Sequence, residues 1–374
     1  MRNLFALPTD VAFLNCAYMA PQLRAITEIG IRAVRGKETP WTLGSYEWFA
    51  QPEELRSAVA MLMDADADGI ALVPSASYGI AIAAANTPLA AGQNVVLLDG
   101  QFPSNVYAWR ELARARGANL HTARKDAADS WTEAVLDAID DDTAIVAVPN
   151  CHWTDGALVD LVRVGERTRA VGAALIVDAS QSLGAYPISV REVQPDFLVS
   201  VGYKWQLGPY GLAYLYVAPR WRERSRPIEE SWLTRAGAED FSSLVDYVDE
   251  YQPGARRFDM GEGSQFVLLP MALAAVKQLL EWEPKNIQAT VTKLTALIAR
   301  EASSLGCSVL AADRRVGHML GIRFPKGLPT ELPRRLADAR VYVSVRGDAI
   351  RVSPNIYNGE EDAARLIDVL REFC

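Results

Sequence analysis

The chain has 374 residues, of which 50% are hydrophobic, and it carries a formal net charge of −8 at neutral pH. This length supports a large buried core and favours a division into two domains. The 38 lysines and arginines are scattered, so the sequence shows no basic footprint for nucleic acid or for an anionic membrane surface. No apolar run approaches the ~20 residues of a membrane span, and the first residues lack a signal-peptide pattern. We therefore expect a cytoplasmic protein that acts on a small molecule.

The four cysteines, Cys16, Cys151, Cys307 and Cys374, show no CxxC spacing. Three histidines are too few for most metal clusters. We expect reduced, buried thiols and no metal site.

Strand-like apolar runs alternate with helical periodicity between Gly69 and Ala218. The apolar runs are GIALVPS, NVVLLDG, TAIVAVPN, ALIVDAS, FLVSVGY and LAYLYVA, and the helical segments include GIAIAAANTPLA, NVYAWRELARARG and LVRVGERTRAVG. This alternation predicts an α/β domain in which a mostly parallel sheet lies between helices.

The pattern changes in the last part of the chain. Residues 230–257 are polar but rich in aromatic side chains, which predicts an ordered covering loop and not disorder. From about Pro270, the helical segments MALAAVKQLLEWE and KLTALIAREASSLG precede short strands in CSVLAA, HMLGIRF, VYVSVR and AIRVSP and a last helix in EEDAARLIDVLREF. This order predicts a smaller C-terminal α+β domain.

Two strand ends carry the most informative side chains. Asp178 ends the apolar run ALIV, and Lys204 follows the run FLVSV, between Tyr203 and Trp205. Ligands of parallel α/β sheets collect at the carboxyl ends of strands, and aromatic neighbours favour a neutral, nucleophilic amine. Asp178 alone is equally typical of a turn or helix cap, and a single lysine is usually solvated. Together they supply the carboxylate and the Schiff-base amine that pyridoxal phosphate requires.

Three other strand ends add candidates. Ser75–Ser77 precede a helix, where free backbone N–H groups attract a phosphate, although an ordinary serine cap has the same pattern. Phe102 is placed to stack on a flat ring, with core packing as the alternative. His152 and Trp153 end another strand, where His152 is either a cofactor or substrate contact or a structural histidine.

Arg351 lies on an apolar strand in AIRVSP. A buried arginine needs an anionic partner, and its planar guanidinium suits a carboxylate. The partner is either the α-carboxylate of a substrate or a structural carboxylate.

The motifs VDASQ, VGYKW and GPYG, with flanking segments from FLNCAYMAPQ to IRVSPNIYN, resemble the class V aminotransferase group of fold-type I pyridoxal-phosphate enzymes. That group includes kynureninases, cysteine desulfurases and isopenicillin N epimerase-like proteins. The resemblance implies a large domain over residues 16–260, built on a mostly parallel seven-stranded sheet. It also implies a small domain over residues 261–374, completed by residues 1–15.

The resemblance also implies roles for particular residues. Lys204 forms the Schiff base and Asp178 holds the pyridine nitrogen. Ala76, Ser77 and Tyr203 bind the phosphate, and Gln181 contacts the phenolic oxygen of the cofactor. The remaining candidates by resemblance are Phe102 for the cofactor and Arg351, with Asn15 close by, for the substrate carboxylate. His152 and Trp153 are further cofactor candidates because they end a strand that faces the same crevice.

A dimer follows from two further segments. Residues 255–266 resemble the family segment that reaches into the phosphate site of the partner subunit. Here Glu262 stands where many members have a threonine, a position at which a carboxylate repels phosphate, so Ser264 is the candidate that replaces this contact. Trp232 is a further cross-subunit candidate by resemblance to kynureninases, with simple packing as the alternative. The resemblance therefore implies a homodimer with composite active sites.

The reaction is less constrained than the cofactor. The tight turn before Ile350 contains no cysteine, which argues against desulfuration through a cysteine persulfide. We favour an aminotransferase, with a C–S or β-lyase of a cysteine conjugate as the alternative, and with a kynureninase-like hydrolase and an epimerase also open. A non-catalytic protein that keeps the fold is disfavoured because Asp178 and Lys204 are both present.

Overall fold

The computed structural model of the chain describes residues 1–125 and 130–374. The strands are β1 Ala12–Phe13, β2 Ile70–Val73, β3 Asn94–Leu98, β4 Asn119–Ala123, β5 Thr143–Pro149, β6 Ala174–Asp178, β7 Phe197–Val201, β8 Ala213–Val217, β9 Ser308–Val309, β10 Leu320–Arg323, β11 Val341–Tyr342, β12 Ser344–Arg346 and β13 Ala349–Val352. The helices are α1 Arg24–Gly36, α2 Gln51–Leu62, α3 Ala76–Asn86, α4 Tyr107–Arg116, α5 Trp131–Ala138, α6 Leu161–Ala170, α7 Val190–Val193, α8 Pro219–Arg222, α9 Leu268–Trp282, α10 Pro284–Ser304, α11 Leu332–Asp338 and α12 Glu360–Arg371.

A seven-stranded sheet forms the centre, in the order β2-β8-β7-β6-β5-β3-β4. Only β8 runs against its neighbours, so the predicted mostly parallel sheet is confirmed. Every residue of β6, β7 and β8 is buried. Their continuous apolar runs follow from this, because helices cover both faces of a parallel sheet.

The edge strand β4 and the helix α5 were not predicted from the sequence. β4 has the sequence NLHTA and is largely exposed, so it lacks the apolar run by which buried strands are recognised. It pairs with β3 in parallel register, and Asn119 lies opposite Asn94. An edge strand with polar side chains blocks further strand pairing.

Separate apolar cores lie on the two faces of the sheet, and a third fills the C-terminal unit. Ala12 and Leu14 pack in this third core with Ile298 and Leu366, so the first residues of the chain contribute to the C-terminal unit. Helix α9 instead packs on α2 and α1 beside the sheet. The division into residues 16–260 and residues 261–374 with 1–15 stays a prediction.

The C-terminal unit contains the antiparallel sheet β12-β13-β10-β9. The segment VYVSVR was predicted as one strand, and this is wrong, because Val343 separates two strands with different partners. β11 pairs with β1 in parallel, whereas β12 pairs with β13. In the second pair Ser344 lies opposite Arg351. Because of this break, β12 pairs with β13, the strand that carries Arg351.

Residues 230–257 form the ordered loop that the sequence predicts. Backbone hydrogen bonds join Ala236 to Glu250 and Gln252 to Thr234. The Trp232 ring packs against Trp48 with 5.7 Å between ring centroids. Within the described residues, no helix combines the length and the apolar character needed to cross a membrane.

Candidate active site

The carboxyl ends of β6 and β7 open into a cavity of about 340 Å³. Asp178 is the last residue of β6, and Lys204 follows β7 after a short turn. Both side chains line this cavity. Its volume falls within the range of roughly 300–1,000 Å³ that is typical of small-molecule sites. We call it the inner cavity.

Lys204 is nearly buried, with 7% of its surface exposed. Its ammonium nitrogen lies 5.3 Å from the centroid of the Phe102 ring and 5.6 Å from that of Tyr203. Burial is the largest influence on this amine and lowers its pKa to about 8, against the opposing charge of Asp178. The nearby guanidinium groups of Arg351 and Arg346 lower it further. A substantial fraction of the amine is therefore neutral near physiological pH.

Asp178 is also buried, and its Oδ1 accepts a hydrogen bond of 3.0 Å from the backbone N–H of Ser180. No ion pair joins this carboxylate to a cationic side chain of the described residues. The Ser180 hydroxyl lines the same cavity, is buried and has no hydrogen-bond partner. A buried hydroxyl without a partner costs about 1–3 kcal/mol, which a bound polar group would recover.

The start of α3 forms one wall of the inner cavity. The Ser75 hydroxyl accepts a hydrogen bond of 3.1 Å from the N–H of Tyr78 and so caps the helix. Ala76 and Ser77 belong to the first turn of α3, where no helical carbonyl is available to accept a hydrogen bond from their backbone N–H groups. The Ser77 and Ser104 hydroxyls lie 3.0 Å apart. These donors make a neutral cradle for an anion.

Ser104 was not predicted. It follows Phe102 by two positions in the segment QFPSN, and a hydroxyl so close to a candidate stacking residue was a usable signal. It lines the inner cavity with Ser77.

Gln181 lines the inner cavity and is held at both ends of its amide. Nε2 donates to the backbone oxygen of Ala17 over 3.1 Å, and Oε1 accepts from Trp205 Nε1 over 3.0 Å. One N–H of the amide remains available for a ligand.

Phe102 is not core filling, since it is 40% exposed and lines the inner cavity. Trp153 meets it edge to face with 5.5 Å between ring centroids and donates its indole N–H to the backbone oxygen of Gly100. Trp153 lines a second cavity, described below.

His152 lines neither cavity. Its ring nitrogens contact the Thr154 hydroxyl at 2.6 Å and the backbone oxygen of Asp99 at 3.1 Å. The ring stacks on Trp131, and burial lowers its pKa. These contacts occupy both nitrogens of a neutral imidazole. The geometry favours the structural role of His152 over a cofactor contact.

A second cavity of about 430 Å³ adjoins the first, and Phe102, Gln181, Tyr203, Lys204 and Tyr210 line both. We call it the outer cavity. Its further lining residues are Ala17, Tyr18, Met19, Trp153, Arg346 and Arg351. Lys204 therefore faces a space on each side.

Arg351 is 1% exposed and forms no ion pair within the described residues. Its Nη1 donates to the backbone oxygen of Trp153 over 2.8 Å, and its Nε is buried without a partner. Burial lowers the pKa of Arg351 to about 9, and the nearby charge of Arg346 contributes to this lowering. Within the residues that the structure describes, no carboxylate forms the structural ion pair that was the alternative. The geometry favours an external anion as the partner.

Asn15 does not line the outer cavity but lies close to Arg351. Its Oδ1 accepts a hydrogen bond of 2.8 Å from the Ser344 hydroxyl, which lies 3.4 Å from Arg351 Nη2. Asn15 is therefore linked to Arg351 through Ser344, and its contact with the substrate stays a prediction.

Trp232 and Ser264 lie away from both cavities of their own chain. The Ser264 hydroxyl donates to the backbone oxygen of Trp48 over 2.6 Å, and Trp232 packs on the same Trp48 ring. The N–H of Gly261 is bound by the Glu229 carboxylate at 2.6 Å.

The inner cavity fits pyridoxal phosphate. An aromatic ring, an amine, a carboxylate and an unpartnered hydroxyl meet there, and the hydroxyls of Ser77 and Ser104 stand at a helix start. Phosphate, aldehyde and pyridine nitrogen each find a matching group.

Comparisons with known proteins agree with this site. The family model described as Aminotransferase class-V matches residues 45–366. The chain is 28% identical to an uncharacterized aminotransferase, YcbU, of Bacillus subtilis, covering 98% of this chain and 95% of that protein. It is 27% identical to isopenicillin N epimerase of Streptomyces clavuligerus, covering 85% and 83% of the two chains. It is 27% identical to a kynureninase of Deinococcus radiodurans, covering 70% and 63%.

Solved structures share the fold. A cysteine desulfurase from Thermococcus onnurineus superposes with a TM-score of 0.85 at 18% identity, covering 99% of this chain and 96% of that chain. The cystine C-S lyase C-DES, in complex with its product cysteine persulfide, superposes with a TM-score of 0.87 at 17% identity, covering 98% of both chains.

Proposed function

The chain belongs to the class-V aminotransferase family of pyridoxal-phosphate-dependent enzymes, and we propose that it acts on an amino acid through Lys204, as an aminotransferase. The observation that carries the proposal is the position of Lys204 between two cavities. The inner cavity contains Asp178, and the outer one contains the unpaired Arg351. A lysine so placed contacts the cofactor on one side and the amino acid on the other.

The residues of the inner cavity hold the cofactor. The Asp178 carboxylate would accept a hydrogen bond from the pyridine nitrogen and so favour its protonated form. Phe102 would pack on the ring, Gln181 would donate its free N–H to the phenolic oxygen, and Ala76 with Ser77 would bind the phosphate. Tyr203, which lines the same cavity, would bind the phosphate from the other side. When bound, pyridoxal phosphate supplies an electron sink that weakens the bonds to the substrate Cα.

The neutral amine of Lys204 would hold the cofactor aldehyde, and the same side chain is placed to move the proton of the substrate Cα. A pKa of about 8 suits both tasks, because the amine accepts a proton readily and yet is partly neutral near physiological pH. Phe102 has no titratable group with which to assist. Proton transfer therefore depends on Lys204.

Arg351 orients the substrate. Its guanidinium is fixed by Trp153 and Ser344 and has no carboxylate partner among the described residues, so it binds the α-carboxylate. This contact places the Cα next to Lys204.

The cysteines support transamination over persulfide chemistry. None lines either cavity, and burial raises the pKa of Cys16 to about 12 and that of Cys151 still further. A thiol of this kind is not a nucleophile near neutral pH. A lyase that expels a β-substituent from a cysteine conjugate needs no protein thiol, and it is the second candidate because the fold is shared with a cystine C-S lyase.

The working unit in this proposal is a homodimer. Ser77, Ala76 and Ser104 give the phosphate no positive side chain, and Ser264 and Trp232 do not reach the cavities of their own chain. A composite site accounts for both the missing positive side chain and the position of Ser264 and Trp232. In such a site, the 255–266 segment and Trp232 of one subunit complete the phosphate site of the other. Sedimentation that shows an active monomer would reject it. The cytoplasmic location stays a prediction, to be tested by cell fractionation.

Absorbance of the cofactor-loaded protein separates the candidate reactions. Amino acids and cysteine S-conjugates are added singly, and keto acids and ammonia are assayed in the same sample. An aminotransferase gives a stoichiometric change in the cofactor band that a keto acid reverses. Continuous release of pyruvate and ammonia, with the original band restored, identifies a lyase instead.

A further inference from the structure

The outer cavity is lined by two arginines and by no acidic residue. Arg351 has a role in the proposed function, but Arg346 has none. Arg346 is the last residue of β12, two positions after Ser344, and so lies on the same face of this strand. The β12–β13 register places Ser344 opposite Arg351, and both arginines therefore line one space.

Arg346 is oriented by its surroundings. Its guanidinium carbon lies 5.2 Å from the centroid of the Trp153 ring, and Nη1 donates to the backbone oxygen of Val345 over 2.7 Å. Its Nε is buried without a hydrogen-bond partner. The side chain is half-buried, so its charge is only partly solvated.

The missing ion pair distinguishes Arg346 from two buried arginines of the chain, Arg56 and Arg257. Arg56 pairs with Asp259 at 2.7 Å, and Arg257 pairs with Glu223 at 2.8 Å. Arg346 forms no ion pair with a carboxylate in the part of the chain that the structure describes. The positive charge of Arg346 also disfavours the protonated form of Arg351 and so helps to lower the pKa of Arg351. Two like charges left together at a cavity are stabilised by ligand anions.

One α-carboxylate cannot account for both arginines, since the two positive groups exceed its single charge. We propose that Arg346 binds a second anionic group in the side chain of the substrate, which is therefore an amino acid with an acidic side chain. This inference rests on the proposed function, because Arg351 is taken to bind the α-carboxylate. The aromatic rings of Tyr18, Trp153 and Tyr210 would line the path between the two anionic groups.

Ligands that cannot react test the proposed role of Arg346 in binding independently of catalysis. Malonate, succinate and glutarate are titrated calorimetrically into the cofactor-loaded protein, each beside its monoamide, which differs in one charge. We expect the best dicarboxylate to bind about tenfold more tightly than its monoamide. Arg346→Gln should abolish this preference without weakening monoamide binding, and Arg346→Lys should keep part of it. Arg371→Gln, a change on the exposed face of α12, is the matched control and should leave both affinities unchanged.

Steady-state kinetics give a second readout. With aspartate and glutamate, Arg346→Gln should raise KM about tenfold with little change in kcat, and with asparagine and glutamine it should change neither. Equal affinity of the wild type for each dicarboxylate and its monoamide, or an equal loss of both in Arg346→Gln, would overturn the inference. Failure of the proposed function looks different, because no amino acid would then convert the cofactor band reversibly, while the dicarboxylate preference of the cofactor-loaded protein could still be measured.

Discussion

The His318 imidazole lies 2.7 Å from the backbone oxygen of Gln181, so the C-terminal unit hydrogen-bonds the loop that follows Asp178. The same imidazole meets the Trp205 ring edge to face at 4.4 Å, next to Lys204. Trp205 in turn donates to the Gln181 side chain. His318 therefore supports the loops that line the inner cavity through its contacts with Gln181 and Trp205.

Lys204 should set the pH dependence of cofactor binding. Only the neutral amine attacks the aldehyde, and its pKa of about 8 lies below the ordinary lysine value because of burial. The rate at which cofactor-free protein binds pyridoxal phosphate should rise about tenfold per pH unit below pH 8 and level off about one unit above. Stopped-flow absorbance measures this directly.

Replacement of the amine supplies the control. Lys204→Ala should show no lysine-bound cofactor band and should lose at least about 10³-fold in kcat. Lys326→Ala, a change at an exposed loop lysine, should leave both unchanged. A rate that keeps rising towards pH 10 would show that the amine is not desolvated.

Asp178→Asn should impair electron withdrawal while it preserves the local structure. Asparagine still accepts the N–H of Ser180 but cannot stabilise a protonated pyridine nitrogen. Loss of this charge-assisted hydrogen bond, worth about 2 kcal/mol, should lower kcat about 30-fold and weaken cofactor binding. Spectral titration with the cofactor and single-turnover rates measure the two effects. Unchanged rates would remove Asp178 from the mechanism.

Arg351→Leu should damage substrate binding but not stability. The guanidinium binds the α-carboxylate in our proposal, so KM should rise on the order of 100-fold, or about 3 kcal/mol. No carboxylate of the described residues loses its partner, so the free energy of unfolding should not fall by more than about 1 kcal/mol. An unchanged KM would reject the assignment.

Arg56→Leu is the matched comparison for stability. Arg56 is equally buried but binds Asp259 through two hydrogen bonds, of 3.1 and 2.7 Å. Its loss leaves a partly buried carboxylate without its ion pair, and it should lower the free energy of unfolding by about 3–5 kcal/mol. Urea unfolding of the two variants side by side measures the difference. Equal losses would mean that Arg351 has a structural partner after all.

The sequence predicted the strands and candidate residues that local pattern encodes. Asp178 and Lys204 follow continuous apolar runs, and such runs end where ligands bind in a parallel sheet. β4 was missed because an exposed edge strand has no apolar run. Arg346 was missed because its place beside Arg351 depends on the break at Val343 and on the register of β12 with β13.

His318 was missed for a related reason. It lies 137 positions from Gln181 in sequence, and only the packing of the C-terminal unit on the sheet brings the two together. No spacing rule carries information over that distance. The same holds for the unpartnered Nε atoms of Arg346 and Arg351, since a missing partner is visible only in the folded chain.

His318 should make the fold sensitive to acid. Burial lowers its pKa to about 4, while an unfolded histidine titrates at its ordinary value near 6.5. The unfolded chain therefore takes up a proton first as the pH falls. The stability present above pH 6.5 should decline between pH 6.5 and pH 4, by about 3 kcal/mol from this residue.

Urea unfolding at pH 7.5 and pH 5 tests this in the wild type and in His318→Gln, which retains a donor towards the Gln181 oxygen but does not titrate. The variant should be less stable than the wild type at pH 7.5 but should lose less stability on acidification. His121→Gln, a change on the exposed edge strand, is the control for replacing a histidine by glutamine. If His318→Gln and the wild type lose the same free energy between the two pH values, acid sensitivity arises elsewhere and the imidazole is accessible to protons in the folded state.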